Sequence, residues 1–326
     1  MPSFFTRRDF LERATCAGAL LAVTGPRVAA GQAPAPAPGQ MYVSLNGSVA
    51  RGVGWPDLAR LAARVGFAGV DWSLGPARAA GLDATRALFA ELKIRPSIAN
   101  LPMARPLPFQ GEQTAFDQAL VQLADDAAFA AAIGCDRLMV VLSPTGPLPK
   151  AEWRKVVRDR LAAISQVLQR SKVALGLEFL GVQSFRAGRE GGPPPNPFIW
   201  TLPETLELAK DCGPNIGVIL DVWHWHHSGG TTADILNAPK SRIIHVHVSD
   251  AKGQPPEDVR DNQRVMPGEG VIDLTGFFQA LKKIGYDGGV SPEPLGRVPA
   301  DMSPEDGARL ALDTTRAAMK KAGVAA

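Results

Sequence analysis

The sequence has five histidines, and all of them fall between His224 and His247: His224, His226, His227, His245 and His247. Imidazole binds metals and moves protons near neutral pH, so such a cluster points to chemistry. In Ile244-His-Val-His-Val248 two of them alternate. Residues i and i+2 of a strand share a face, so His245 and His247 are expected to point the same way. His247 is nearer the strand's C-terminal end. Acids close three other apolar runs. Glu178 follows Ala174-Leu-Gly-Leu, Asp221 follows Gly217-Val-Ile-Leu, and Glu293 follows Gly289-Val-Ser-Pro. Burying a lone carboxylate is costly. An ion pair would satisfy any one of these acids, whereas a shared cation would satisfy Glu178, Asp221, His247 and Glu293 together. Three carboxylates and one imidazole suit Mn²⁺ first, with Mg²⁺, Co²⁺ or Zn²⁺ as alternatives. An octahedral ion held by four side chains keeps two positions open for adjacent oxygens of a hydroxy-carbonyl substrate. The expected chemistry is proton transfer beside a carbonyl through an enediolate, with carboxylates as acid and base.

Such a site needs strands that end at one level. Eight short apolar runs meet that need: Met41–Asn46, Gly69–Ser73, Ile94–Asn100, Arg137–Ser143, Ala174–Leu180, Ile216–Val222, Arg242–Ser249 and Gly289–Glu293. Val, Ile and Leu dominate them, as in parallel strands buried on both faces. Helical patterns separate them: Trp55–Val65, Asp83–Leu92, Ala115–Ile133, Ala151–Gln169, Leu202–Asp211, Thr232–Asn237 and Asp273–Ile284, with Ser303–Ala322 last. Eight successive βα units predict a single-domain α/β (β/α)8 TIM barrel over residues 41–326. A doubly wound sheet would want a glycine-rich phosphate loop after an early strand, and the sequence shows none. Two long connections, Gly181–Trp200 and Asp250–Gly270, follow C-terminal strand ends and are expected to cover substrate. Trp72, Trp223 and Trp225 lie at or just past strand ends, where sugar stacking and core packing both suit them.

The strand-ending Glu178, Asp221-Val-Trp-His224, His245-Val-His247 and Pro292-Glu293-Pro294 resemble the sugar phosphate isomerase/epimerase superfamily with the xylose-isomerase-like barrel. Pro267-Gly-Glu-Gly-Val-Ile-Asp273 is similar to the segment before the last helix in that group, and the resemblance covers about residues 41–320. It implies that Glu178, Asp221, His247 and Glu293 are the metal ligands and that Glu178 and Glu293 double as the acid/base pair. It also implies that His224 contacts a substrate oxygen near the metal; support of Asp221 is the other role open to it. His245 and Trp72 are expected to join the substrate pocket. The ketose 3-epimerases of the group have Glu and Arg where this chain has Ser184 and Gly253. Asp258-Val-Arg-Asp-Asn-Gln-Arg-Val-Met-Pro267 instead resembles dehydratase-like branches, and Arg264 within it is expected to bind a substrate anion or hydroxyl. The implied function is a sugar or keto-polyol isomerase or epimerase, with a lyase or dehydratase acting on a 3-keto sugar or keto-glycoside as the alternative. A non-catalytic sugar binder and an endonuclease rank below both.

The N-terminus reads separately. Thr6-Arg-Arg-Asp-Phe-Leu11, the apolar Cys16–Val23 and the small residues at Val28-Ala-Ala30 form a Tat signal pattern over residues 1–30, with an Ala/Pro linker over 31–40. Export by the Tat machinery to the periplasm or beyond is the expectation, with no stable membrane anchor, because the apolar stretch is too short to span a bilayer. Residues 1–30 hold four arginines and two acids against a net charge of +3, so the remainder is nearly neutral. That argues against a nucleic-acid partner; a small carbohydrate substrate is what the resemblance implies, and an oligomer is left open. Cys135 and Cys212 are expected as buried free thiols.

Overall fold

The computed structural model describes residues 39–187, 195–296, 298–299 and 301–325. The Tat-type pattern and nearly all of the Ala/Pro linker lie outside them. The predicted barrel is present. Strands β1 (Tyr42–Leu45), β2 (Gly69–Trp72), β3 (Arg95–Asn100), β4 (Arg137–Leu142), β5 (Ala174–Phe179), β6 (Ile216–Asp221), β7 (Ile243–Val248) and β8 (Gly289–Pro292) form a closed parallel barrel in sequential order. Closure pairs Tyr42 with Gly289 and Val43 with Val290. Ten helices accompany the strands among the described residues, from α1 (Asp57–Val65) to α10 (Pro304–Lys321).

Glycines make room inside the barrel. A Cβ on Gly176 would meet Ile219 Cδ1 at 2.2 Å, and one on Gly217 would meet the Arg242 carbonyl oxygen at 2.3 Å. With those positions bare, Ile98, Ile219 and Ile244 pack into an apolar plug, backed by Met139. The acids stand above this plug, at the C-terminal end where barrel enzymes keep their sites.

Two helices were not expected from the sequence. One is α2 (Leu74–Ala80). Gly75 and Pro76 read as breakers, yet they occupy the first turn, where a missing N–H costs nothing. The other is α7 (Val222–His227), built from β-branched, aromatic and histidine residues of middling helix propensity. Asp221 starts it by accepting a hydrogen bond from the Trp223 amide at 2.8 Å. A short antiparallel pair, Thr145–Gly146 with Asn196–Pro197, was also unexpected.

Cys135 and Cys212 are both buried free thiols. Burial pushes them up to about 11 and about 12, which leaves them protonated and unreactive at neutral pH. Among the described residues no helix is long and apolar enough to cross a membrane.

Candidate metal centre

Glu178, Asp221 and His247 lie near the ends of β5, β6 and β7, and Glu293 directly follows β8. Four neighbouring strands thus supply the four side chains. The register levels them: Asp221 pairs with His247, His247 pairs with Ser291, and the Glu293 amide donates to the Val248 carbonyl at 2.8 Å. One donor atom from each of the four lies within 4.8 Å of all the others. An ion with bonds of about 2.1–2.4 Å spans roughly that distance across its centre. The donor set therefore fits a divalent cation, both in chemistry and in spacing.

His247 Nδ1 faces this centre, 2.9 Å from Glu178 Oε1 and 3.5 Å from Glu293 Oε2. Burial opposes its charge, but Glu293 and Glu178 overcome that and hold the imidazolium up to about 10. Glu178 is buried too, and its bond to His247 keeps it ionised below the usual carboxylate range. Burial dominates at Glu293 and pushes it up to about 7, against the pull of His247 and Arg264.

Arg264 also reaches the centre. Its Nη1 donates to Asp221 Oδ2 at 2.6 Å and to Glu293 Oε2 at 2.9 Å, and its Nη2 donates to Asp261 Oδ1 at 2.7 Å. Burial works against ionising Asp221, but the Arg264 guanidinium outweighs it and lowers its pKa. The arginine sits on the long loop after β7, whose neck is tied by one carboxylate. Asp250 accepts from the amides of Ala251 (2.8 Å), Gly268 (3.0 Å), Gly270 (3.0 Å) and Ile272 (2.9 Å). This gives the Pro267-Gly-Glu-Gly motif a physical role: Gly268 has a φ of +89°, and the turn it permits aims its amide at Asp250.

A cation must displace protons to bind here, because His247 ligates only when neutral. At pH 8 the metal-free protein holds that proton, since its pKa is about 10. Glu293, near 7, is largely deprotonated by then. We predict release of about one proton per Mn²⁺ bound at pH 8, and weaker affinity as pH falls. Calorimetry in two buffers of different ionisation enthalpy measures the release; none would contradict the ligand role of His247.

The other expected residues are placed as follows. His224, on α7, accepts from Arg264 Nη2 at 3.1 Å and lies 3.9 Å from Asp221 Oδ2. It is buried, which lowers its pKa, and it braces the Arg264–Asp221 pair. Arg264, expected to meet substrate, is 2 % exposed and bonded on all three nitrogens to protein groups, so it offers no free face to a substrate anion. His245 shares the interior but lies behind the cavity wall, with Nε2 2.7 Å from Ser291 Oγ. Trp72 borders the cavity, yet its indole N–H is spent on Cys135 Sγ at 3.2 Å and its ring packs near Phe129. Trp223 underlies Arg264, and Trp225 packs on Phe277. His226 and His227 meet edge to face and are not among the four clustered side chains.

A cavity of about 390 Å³ opens onto Glu178, His247 and Glu293, within the range of small-molecule sites. Its opposite wall holds residues that the sequence analysis did not single out: Asn46, Trp55, Asp71 and Asn100. Asp71 carried the same signal as the other acids, a carboxylate in the apolar run Gly69-Val-Asp-Trp72. It is the penultimate residue of β2, as Glu178 is of β5, but only Gly69-Val70 precede it in the run, too short an apolar stretch to mark it.

Comparison with known proteins bears on this geometry. Inosose isomerase of Halalkalibacterium halodurans is 30% identical over 167 residues, covering 51% of this chain and 55% of that protein. Inosose dehydratase of Geobacillus thermodenitrificans is 30% identical over 102 residues, covering 28% of this chain and 34% of that protein. The match thus spans about half of the first relative's length and about a third of the second's. The IolI protein, whose crystal structure holds a zinc atom, superposes with a TM-score of 0.71 at 22% identity, covering 86% of this chain and 99% of that one. At that identity the likeness establishes the fold. The xylose isomerase-like TIM barrel family matches residues 59–318, and the chain belongs to that family.

Proposed function

We propose that this protein is a divalent-metal-dependent isomerase or epimerase acting on a polyhydroxylated ketone. The observation that carries the reading is the placement of two carboxylates, Glu178 and Glu293, on the same cavity and beside His247 Nδ1. A cation held by Glu178, Asp221, His247 and Glu293 would polarise a substrate carbonyl and its neighbouring hydroxyl. Glu178, which faces the cavity, is the base that takes a proton from the carbon beside the carbonyl; the cation would hold it ionised once His247 has given up its proton. Glu293, on the same cavity and 3.5 Å from His247 Nδ1, is the group that returns one. Trp55, Trp72 and Ile98 give the cavity apolar lining beside these acids. The relatives named as inosose isomerases support this reading.

Dehydration is the second reading, supported by the inosose dehydratase relatives. It needs the same first proton abstraction, followed by loss of a hydroxyl β to the new carbanion. One experiment separates the two. Mn²⁺-loaded protein is incubated in D₂O with D-fructose, D-tagatose and an inosose. Deuterium beside the carbonyl in a product of otherwise unchanged composition supports isomerisation or epimerisation. A product lighter by one water shifts the assignment to dehydration. No exchange with any member of the panel would remove both.

A further inference from the structure

We propose that Asp71 is a substrate-hydroxyl anchor: its carboxylate accepts a hydrogen bond from a free hydroxyl of the polyhydroxylated ketone whose carbonyl end faces Glu178 and Glu293. The inference rests on the reading above and assigns the opposite wall of the same cavity.

Asp71 is on β2, across the barrel from Glu178, and lines the cavity with Glu178, His247 and Glu293. One of its oxygens lies within 4.8 Å of a nitrogen of His247. A molecule gripped at the metal centre by its carbonyl end therefore meets Asp71 within a few carbon atoms. No Lys or Arg among the described residues pairs with Asp71; its ion-pair neighbour is His245, 3.7 Å away.

Hydroxyl and amide donors hold the carboxylate, and two of them have fixed orientations. Ser291 Oγ donates its single proton to Asp71 Oδ1 at 2.8 Å. His245 Nε2 must then be the donor in its 2.7 Å contact with Ser291 Oγ. Asn46 Oδ1 accepts from the Ser48 amide at 2.8 Å, which turns its Nδ2 to donate to Asp71 Oδ2 at 3.2 Å. Ser44 Oγ donates to Oδ1 at 2.8 Å. A carboxylate offers about four acceptor positions. Oδ1 uses two and Oδ2 one, so a single acceptor position is left, on the oxygen bonded to Asn46. An incoming hydroxyl fits it; a second acceptor such as a carboxylate or phosphate does not.

A site built to bond a hydroxyl discriminates against the analogue that lacks it. The test compares an inosose with its monodeoxy analogues, measuring kcat/KM and, by calorimetry, binding to Mn²⁺-loaded protein. Wild type is expected to disfavour one monodeoxy analogue by about 10–100-fold. In Asp71→Asn that ratio should collapse to within about 3-fold, with bound metal unchanged by elemental analysis. Ser44→Ala, which keeps the carboxylate and removes one of its donors, should lower the ratio partway. The inference is overturned if no analogue is disfavoured, if Asp71→Asn keeps the ratio, or if the variant loses its metal, which would make Asp71 a ligand. Absence of turnover in wild type would sink the proposed reaction, while the binding ratios would still decide the anchor.

Discussion

Glu293→Gln is expected to lower kcat/KM by about 10²–10⁴-fold, the range for losing a proton-transfer group. The amide keeps nearly the same shape and one oxygen toward the centre, but it cannot carry the proton. The loss should therefore fall on kcat, and elemental analysis at saturating Mn²⁺ should still find the ion. Glu293→Ala removes the oxygen as well and should cost metal affinity besides. The pair separates two roles that one side chain combines, ligand and proton carrier. Activity within about tenfold of wild type in a metal-loaded Glu293→Gln protein would deny the second role. A protein that binds an inosose equally well with and without Glu293, and never turns it over, would be a sugar binder rather than an enzyme. The geometry argues against that outcome, because it sets two carboxylates beside His247 Nδ1 on one cavity, the arrangement a proton transfer needs.

The cluster of Glu178, Asp221, His247 and Glu293 was legible in the sequence because strand ends are. An apolar run that stops at an acid fixes both the level and the direction of that acid once the run is a barrel strand. Glu178, Asp221 and Glu293 all announce themselves in this way. His247 follows from alternation with His245 along one strand. The barrel was legible for the same reason, since each run is long enough to be read without help from its partners. What the sequence hid depends on contacts between distant segments. Trp72 and Asp71 are adjacent, and period-two alternation sends one toward Phe129 and the other into the cavity, but the register that decides which goes where involves β1 and β3. The Asp71 network joins Ser44, Asn46, His245 and Ser291 from three other parts of the chain. Arg264 could be recognised as important, yet its partners could not. It comes from a loop of 3₁₀ turns whose path is set by Asp250 rather than by any periodic pattern.

Arg264→Ala should have opposite effects on the metal-free protein and on the affinity for metal. In the metal-free protein the guanidinium neutralises Asp221 and Glu293, which are respectively fully and largely buried. Removing one partner of such a network costs about 3–5 kcal/mol, because the remaining charges stay buried without compensation. The melting temperature should fall on the order of 5–15 °C for a barrel of this size. The same guanidinium stands beside two of the four metal ligands and repels an incoming dication. Its loss should raise Mn²⁺ affinity by about tenfold or more, as expected for like charges a few ångströms apart even when well screened. Metal binds only the folded state, so excess Mn²⁺ should lift the variant's melting temperature further than it lifts that of wild type. Melts with and without Mn²⁺, together with a competition titration against a chelating dye, measure both halves. Equal metal-free stability would show that the Arg264 contacts at 2.6 and 2.9 Å contribute little. A fall in affinity would mean that the arginine orients Asp221 and Glu293 for the ion more than it repels it. Arg264→Lys supports the distinction: it keeps the charge but cannot bridge Asp221, Glu293, Asp261 and His224 at once, so it should recover less stability than its charge alone would give.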